Sequence, residues 1–358
     1  PSERYPAELK NFLLPRYTSS CVASFSGMAQ VFFFLMNIFK VYRINPLKVA
    51  SFRAPGYTHV MMRILVLIFL FIFAAPCFCE SQEMTRTGLE VPEKFKRGPF
   101  AEKRELKTIP GVRVSVFVSS IEGARFMAED AEGVLFLSVP SAGIVLALPD
   151  RDRDGVADES IVFARGLKRP HGLAFLNGEL LVAEAGSVVA LRDDDGDLKA
   201  DSKKIITDDV PSGGGHWTRT VVIGPDKAIY VAAGSSCNSC VEEDKRRAAV
   251  LRFTGNKAEV FASGLRNTVG LEFHPRTGAL WGADNGRDML GDDIPPEEVN
   301  LIERGKDYGW PYCYGNKVPD PGLGSRERCA KTTAPEVEMQ AHSAPLGVAF
   351  GFGLDFPK

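Results

Sequence analysis

From Thr108 onward the chain repeats itself, and that repeat restricts its fold more than any other feature. The unit is an apolar-aromatic strand, a turn and a second apolar strand ending in small residues. It reads Asp130-Ala-Glu-Gly-Val-Leu-Phe-Leu-Ser, Leu176-Asn-Gly-Glu-Leu-Leu-Val-Ala-Glu, Gly224-Pro-Asp-Lys-Ala-Ile-Tyr-Val-Ala and Pro275-Arg-Thr-Gly-Ala-Leu-Trp-Gly-Ala. The turn positions Gly133, Gly178, Lys227 and Gly278 stand 45, 49 and 51 residues apart. A second phrase recurs with it: Gly166-Leu-Lys-Arg-Pro-His-Gly-Leu-Ala-Phe175 matches Gly264-Leu-Arg-Asn-Thr-Val-Gly-Leu-Glu-Phe273, and Ala344-Pro-Leu-Gly-Val-Ala-Phe350 begins a further copy. Short strands at this period, without amphipathic helices, predict an all-β propeller. One small sheet cannot bury both faces; stacking sheets around an axis can. An open ring would leave an apolar face exposed, so the four copies and the start of a fifth predict a propeller that is incomplete at Lys358. A β-sandwich with accidental similarity is the alternative.

The net charge of -2 argues against a nucleic-acid partner. Arg63 precedes 12 apolar residues, Ile64 to Ala75, followed by small ones. That is the pattern of a secretory signal, and the run is short for a membrane span. The domain reading is therefore 1–60 as an upstream extension set aside from fold reasoning, 61–79 as signal peptide, 80–107 as linker and 108–358 as propeller. A membrane anchor, or a lipid on Cys77 or Cys79, is the alternative for 61–79. Export to the periplasm or outside suits disulfides. With Cys21, Cys77 and Cys79 set aside, four cysteines remain. Pairing Cys237 with Cys240 and Cys313 with Cys329 is the first choice, with other pairings open.

Two acidic loops carry oxygen ligands on alternate residues, as calcium loops do. They are Asp150, Asp152, Asp154 and Asp158, and, at the same offsets 43 residues later, Asp193, Asp195, Asp197 and Asp201. Both lack the Glu that completes an EF-hand, and a solvated turn is the other reading. In Gly213-Gly-Gly-His216, glycines permit a close backbone approach to a ligand, and a histidine there suits a general base; a structural histidine is the alternative. Arg266-Asn267, paralleled by Arg169-Pro-His171, is expected to point into the channel or to form a salt bridge between blades. The acidic, glycine-rich stretch from Ala283 to Pro311 offers carboxylate and carbonyl oxygens to calcium, or is a long surface loop.

Taken in order, His216-Trp-Thr-Arg-Thr-Val-Val-Ile-Gly-Pro-Asp226, Gly264-Leu-Arg-Asn267, Glu298-Val-Asn-Leu-Ile302 and Tyr308-Gly-Trp-Pro311 resemble the soluble PQQ-dependent glucose and aldose dehydrogenases. Ser235-Ser-Cys-Asn-Ser-Cys240 and His342-Ser-Ala-Pro-Leu-Gly347 look closest to the sorbosone dehydrogenase branch. The resemblance covers about residues 108–358. It implies a six-bladed propeller carrying PQQ and Ca2+, which oxidises a small sugar and passes electrons to a quinone or cytochrome c. Carried over by match, His216 would be the general base, and Arg266 and Asn267 would bind the quinone oxygens. The carbonyls of Gly286 and Arg287 would hold the calcium beside the quinone. Glu298 and Tyr308 would form a second, structural calcium site. The family has Pro at Arg287 and Gln near His171, a substrate position. Its basic residues that grip the cofactor carboxylates lie in later blades, which implies weak quinone binding by residues 80–358 alone. A calcium-dependent lactonase-like hydrolase and a non-catalytic binding propeller are the competing functions.

Overall fold

The structure, a computed structural model, describes residues 84–351. The signal peptide read over 61–79, the extension 1–60 and Cys21, Cys77 and Cys79 lie outside the described residues. Among the described residues no helix is long and apolar enough to cross a membrane.

The fold is all-β. A three-stranded sheet comes first, from β1 (Thr85–Glu90), β2 (Glu105–Thr108) and β3 (Val114–Ser115), in the order β2-β1-β3. The segment read as a linker thus contains two strands, and the compact unit begins at Thr85. Their alternation is slight: in β1 only Thr87 and Leu89 are half-buried, in β2 only Thr108, and the strands are joined through their backbones.

Four four-stranded antiparallel sheets follow. The first holds β4 (Met127–Glu129), β5 (Leu135–Val139), β6 (Ile144–Leu148) and β7 (Ile161–Ala164). The second holds β8 (Leu173–Leu176), β9 (Glu179–Glu184), β10 (Ser187–Arg192) and β11 (Ser202–Thr207). The third holds β12 (Arg219–Ile223), β13 (Ile229–Ala233), β14 (Ala249–Phe253) and β15 (Glu259–Ser263). The fourth joins β16 (Thr268–Phe273), β17 (Leu280–Asp284) and β18 (Glu297–Ile302) to a later strand, after an excursion. The excursion carries β19 (Cys313–Tyr314), β20 (Val318–Pro319) and helix α1 (Arg326–Ala330), and β21 (Val337–Met339) then completes the sheet. The Ser325 hydroxyl caps α1 by accepting from the Arg328 amide. The Cys313–Cys329 disulfide staples the excursion, and Cys237–Cys240 closes a four-residue loop after β13. Both pairs are those expected from the sequence.

Each recurring element has one structural job. Gly133, Gly178, Lys227 and Gly278 occupy the first hairpin of successive sheets, all at positive φ (+90°, +81°, +59° and +70°). The glycine of the Gly-Leu phrase serves the contact between sheets. A Cβ at Gly172 would stand 2.5 Å from the Val221 amide nitrogen in β12, and one at Gly270 would stand 2.7 Å from the Gly347 backbone. The first strands of consecutive sheets touch in order, β4 on β8, β8 on β12 and β12 on β16.

The core lies in layers between sheets. Phe136, Val145 and Phe163 of the first sheet pack on Leu180, Val182 and Leu191 of the second. Leu181, Val188 and Ala190 pack on Val231, Leu251 and Phe253 of the third. Tyr230, Val250 and Ala262 pack on Leu271, Leu280 and Ile302 of the fourth. Strand β13 is buried along its whole length because it has a neighbouring sheet on either face.

Candidate functional site

In every sheet the first strand runs away from one end, the second returns to it, and the third starts from it. Residues just before a first strand, just after a second and just before a third therefore gather at the same end. His216, Arg266 and Asn267 precede β12 and β16, Ser235 and Asn238 follow β13, and residues 285–288 follow β17.

His216 and Asn267 flank Gly234, where a Cβ would stand 2.6 Å from His216 Cβ and 2.7 Å from Asn267 Oδ1. Any larger residue at 234 would push them apart. The tautomer of His216 follows from its neighbours. Ser235 Oγ has one hydrogen, and it donates to the Cys237 carbonyl at 2.7 Å. Towards His216 Nδ1, at 2.8 Å, that oxygen is therefore an acceptor, as is the Ser235 carbonyl at 3.1 Å. Nδ1 thus carries the hydrogen and Nε2 the lone pair; the hydrogen bonds of this ring among the described residues all run through Nδ1. Burial first, then the Arg266 guanidinium, push the imidazole pKa down to about 4, so the ring is neutral at pH 7. Arg219, wholly buried at the start of β12, donates to the carbonyls of Pro211 and His216 and folds this loop back on itself.

The glycine run before His216 approaches the chain's own backbone. The Gly215 amide donates to the Ser236 carbonyl at 2.8 Å, and a Cβ at Gly214 would stand 2.8 Å from Ser236 Cα. Ser236 occupies the close approach of Gly214 and Gly215, while a Cβ at Gly213 would meet nothing within 4 Å.

Arg266 is 4% exposed. Its Nε donates to the Asn238 carbonyl at 3.0 Å, Nη2 to Asn238 Oδ1 at 2.7 Å, and Nη1 to the Asn285 carbonyl at 3.1 Å. Buried Asp284, at the end of β17, accepts from the amides of Arg266 and Asn267 at 2.9 and 2.8 Å. Burial raises the Asp284 pKa to about 6. The Asn267 Nδ2 group has no partner among the described residues, while its Oδ1 accepts from Thr218.

Gly286, Arg287, Glu298 and Tyr308 line one cleft together with Asp284 and Trp310. It has room for an ion or a water and not for a sugar ring. Glu298 Oε1 accepts from the Gly315 amide at 2.7 Å, and burial followed by repulsion from Asp284 raises its pKa to about 8. The Tyr308 hydroxyl bonds the Leu301 carbonyl, which leaves its own carbonyl as its conceivable metal ligand. The Arg287 side chain forms an ion pair of 2.6 Å with buried Asp320, which lines the same cleft. The Trp310 indole nitrogen beside the cleft is buried without a partner among the described residues.

His171 is wholly buried, against Phe126 and Trp217. Its Nδ1 faces the Arg219 carbonyl at 3.1 Å, and burial lowers its pKa to about 4. Trp217 is what reaches the surface, with the Arg169 guanidinium 4.2 Å from its ring centre.

The acidic loops are elsewhere. Asp150–Asp158 joins β6 to β7 and Asp193–Asp201 joins β10 to β11. These are third-to-fourth-strand connections, at the end opposite His216 and on the side of the first hairpins. One shallow pocket is accordingly lined by Gly133 and Asp150 together. Within each loop three carboxylates converge, with oxygens within 4.8 Å of one another. Those oxygens also accept backbone amides, as Asp150 does from Asp154 and Gly155, and Asp193 from Gly196 and Leu198. Asp158 and Asp201 close their loops by accepting from the Arg151 and Asp194 amides.

A family described as a domain of unknown function, DUF7133, matches residues 120–307. The chain belongs to this DUF7133 family. An uncharacterized protein of Borreliella burgdorferi is 27% identical over 273 residues, 71% of this chain and 69% of that one. The Escherichia coli protein named aldose sugar dehydrogenase YliI is 26% identical over 170 residues, 41% of this chain and 43% of its own. Among solved structures, the holo PQQ domain of pyranose dehydrogenase from Coprinopsis cinerea superposes with a TM-score of 0.59 at 21% identity, covering 68% of this chain and 72% of that one. This DUF7133 chain therefore shares its fold with a quinoprotein domain.

Sequence reasoning named His216, Arg266 and Asn267 and missed the residues that hold them. Ser235, Asn238 and Asp284 sit in segments legible as loops, but nothing in the sequence signals which side chain they face.

Proposed function

We propose that this chain is an exported quinoprotein that oxidises an aldose or sugar aldehyde, with PQQ held beside Ca2+ at the His216 end of the sheets. In this reading the four sheets are blades of a six-bladed propeller, and the Ser235–Cys240 and His342–Gly347 phrases favour the sorbosone dehydrogenase branch. The observation that carries the proposal is a neutral histidine presenting an unpartnered Nε2 beside an arginine fork and an unpartnered amide. Two disulfides fit an oxidising compartment and so favour the periplasm or exterior.

The donor set fits the cofactor: Arg266 and Asn267 Nδ2 supply hydrogen-bond donors for quinone oxygens, and Gly234 keeps Asn267 against His216. When bound, PQQ supplies an electrophilic carbonyl carbon that accepts hydride and stores two electrons for a quinone or cytochrome c. His216 Nε2 takes the proton of the anomeric hydroxyl as the C–H bond breaks. Its Nδ1–H, fixed by Ser235, keeps the lone pair pointed at the sugar. Arg266 and Asn267 stabilise the negative charge that grows on the oxygens they face. The carbonyls of Gly286 and Arg287 hold the neighbouring calcium, with Glu298 and the Tyr308 carbonyl as a second, structural set. The acidic loops hold structural calcium at the far end. His171 is assigned here to support Trp217 behind the substrate, because no atom of it reaches the surface. A hydrolase would need its carboxylates open to substrate, and Asp284 is instead bonded to backbone amides.

Reconstitution of the full gene product with PQQ and Ca2+ tests the reading. Sugar-dependent dye reduction that requires both is expected. A product that binds PQQ yet reduces no dye with any aldose would sink it.

A further inference from the structure

The Cys237–Cys240 loop follows β13 and carries Asn238 at its tip. Every polar group of that asparagine except its amide N–H meets the site. Its carbonyl and Oδ1 accept from Arg266 Nε and Nη2 at 3.0 and 2.7 Å. The same Oδ1 accepts from the Asp288 amide at 2.9 Å, and Nδ2 donates to the Asp288 carbonyl at 3.1 Å. Next to it, Ser239 Oγ accepts from Arg287 at 3.2 Å. A single side chain thus ties the guanidinium to the turn over Gly286–Asp288. An arginine fork is useful only when its plane is fixed, and the other anchors of Arg266 fix less. Asn285 holds one nitrogen, and Asp288 lies 3.4 Å away with its side chain 68% exposed.

We infer that the Cys237–Cys240 ring is a clamp in which Asn238 is a positioning residue, setting the orientation of Arg266 and its spacing from the 286–288 turn. The ring closes the loop so tightly that Asn238 keeps one orientation, and cleaving it frees the asparagine. The catalytic meaning rests on the dehydrogenase reading above; the geometric claim does not.

The test compares the full-length wild type, Asn238→Ala and the Cys237→Ser/Cys240→Ser pair. Titration of His216 by NMR reads the position of Arg266 without any cofactor, since that guanidinium faces the imidazole together with Asp288 and Arg219. In both variants the His216 midpoint should rise from about 4 by the share that Arg266 contributes, while burial, the larger cause, still holds it below the ordinary histidine range. With PQQ and Ca2+ loaded, kcat should fall about tenfold or more, the size expected for losing hydrogen bonds to a charged group. KM for the sugar should change much less. If Asn238→Ala fails to fold, the cysteine pair carries the test alone. A lowered Tm with the His216 titration unmoved would reduce the loop to a structural staple and overturn the clamp. Wild type without dye reduction, but with the titration shifted in the variants, would overturn the dehydrogenase reading and keep the clamp.

Discussion

The two ends of the sheets carry the two acidic and polar constellations that the sequence offers, and they are built differently. At the far end, the Asp150 and Asp193 loops satisfy themselves: each carboxylate answers amides within its own eight or nine residues. They need only their local sequence and stay exposed. At the near end, His216, Arg266, Asn267, Asp284 and Glu298 come from two sheets, are buried or partly buried, and are held by partners 17 to 28 residues away. Burial there raises the pKa values of Asp284 and Glu298 and lowers that of His216. Self-sufficient loops suit a structural ion, whereas a long-range assembly suits chemistry, because its geometry is fixed by the whole fold.

The sharpest break of this contrast is activity. His216→Ala should lower dye reduction by about two to four orders of magnitude, the usual worth of a general base. Asp152→Asn and Asp195→Asn, at the far end, should leave turnover within about twofold; comparable losses at both ends would end the distinction.

Acid sharpens it next. The folded-state pKa of His216 lies below its unfolded value, so the base is lost only as pH falls through about 4. The pH profile of kcat/KM should be flat from pH 7 to pH 5 and fall about tenfold per unit below 4. An acid limb near 6.5 would mean that burial and Arg266 do not act on this ring. Stability has the same sign: neutral burial of His171 stabilises above pH 6.5 and loses roughly 3 kcal/mol as pH drops from there to 4, readable by urea melts.

Calcium gives a smaller effect. Burial raises Glu298 to about 8 and Asp284 to about 6, so without a cation stability falls as pH climbs through those values and the carboxylates ionise. Saturating Ca2+ should therefore raise Tm by about 5 °C or more at pH 8 and by less at pH 5. Glu298→Gln should abolish most of the difference. Smallest of all, Asp154→Asn or Asp197→Asn should change the Ca2+-dependent Tm by only about 1–2 °C, measured in the same melts with and without chelator.

The architecture was legible in the sequence because repeats report local events: a turn that needs positive φ at Gly133, Gly178, Lys227 and Gly278, and a small residue at Gly172 and Gly270 where strands meet. The β1–β2 pair escaped because only Thr87, Leu89 and Thr108 of it are half-buried and the rest is exposed. The site was legible in its ends, through His216 and Arg266-Asn267, and opaque in its supports.

Sequence alone determined the period, the turns and which residues bear reactive groups, since each depends on neighbours a few residues away. Tertiary structure alone decided that Ser235 leaves His216 Nε2 bare, that Asn238 and Asp284 hold Arg266, and that the acidic loops face the other way. Those depend on strand direction and on what lies across a buried gap, which no local pattern encodes.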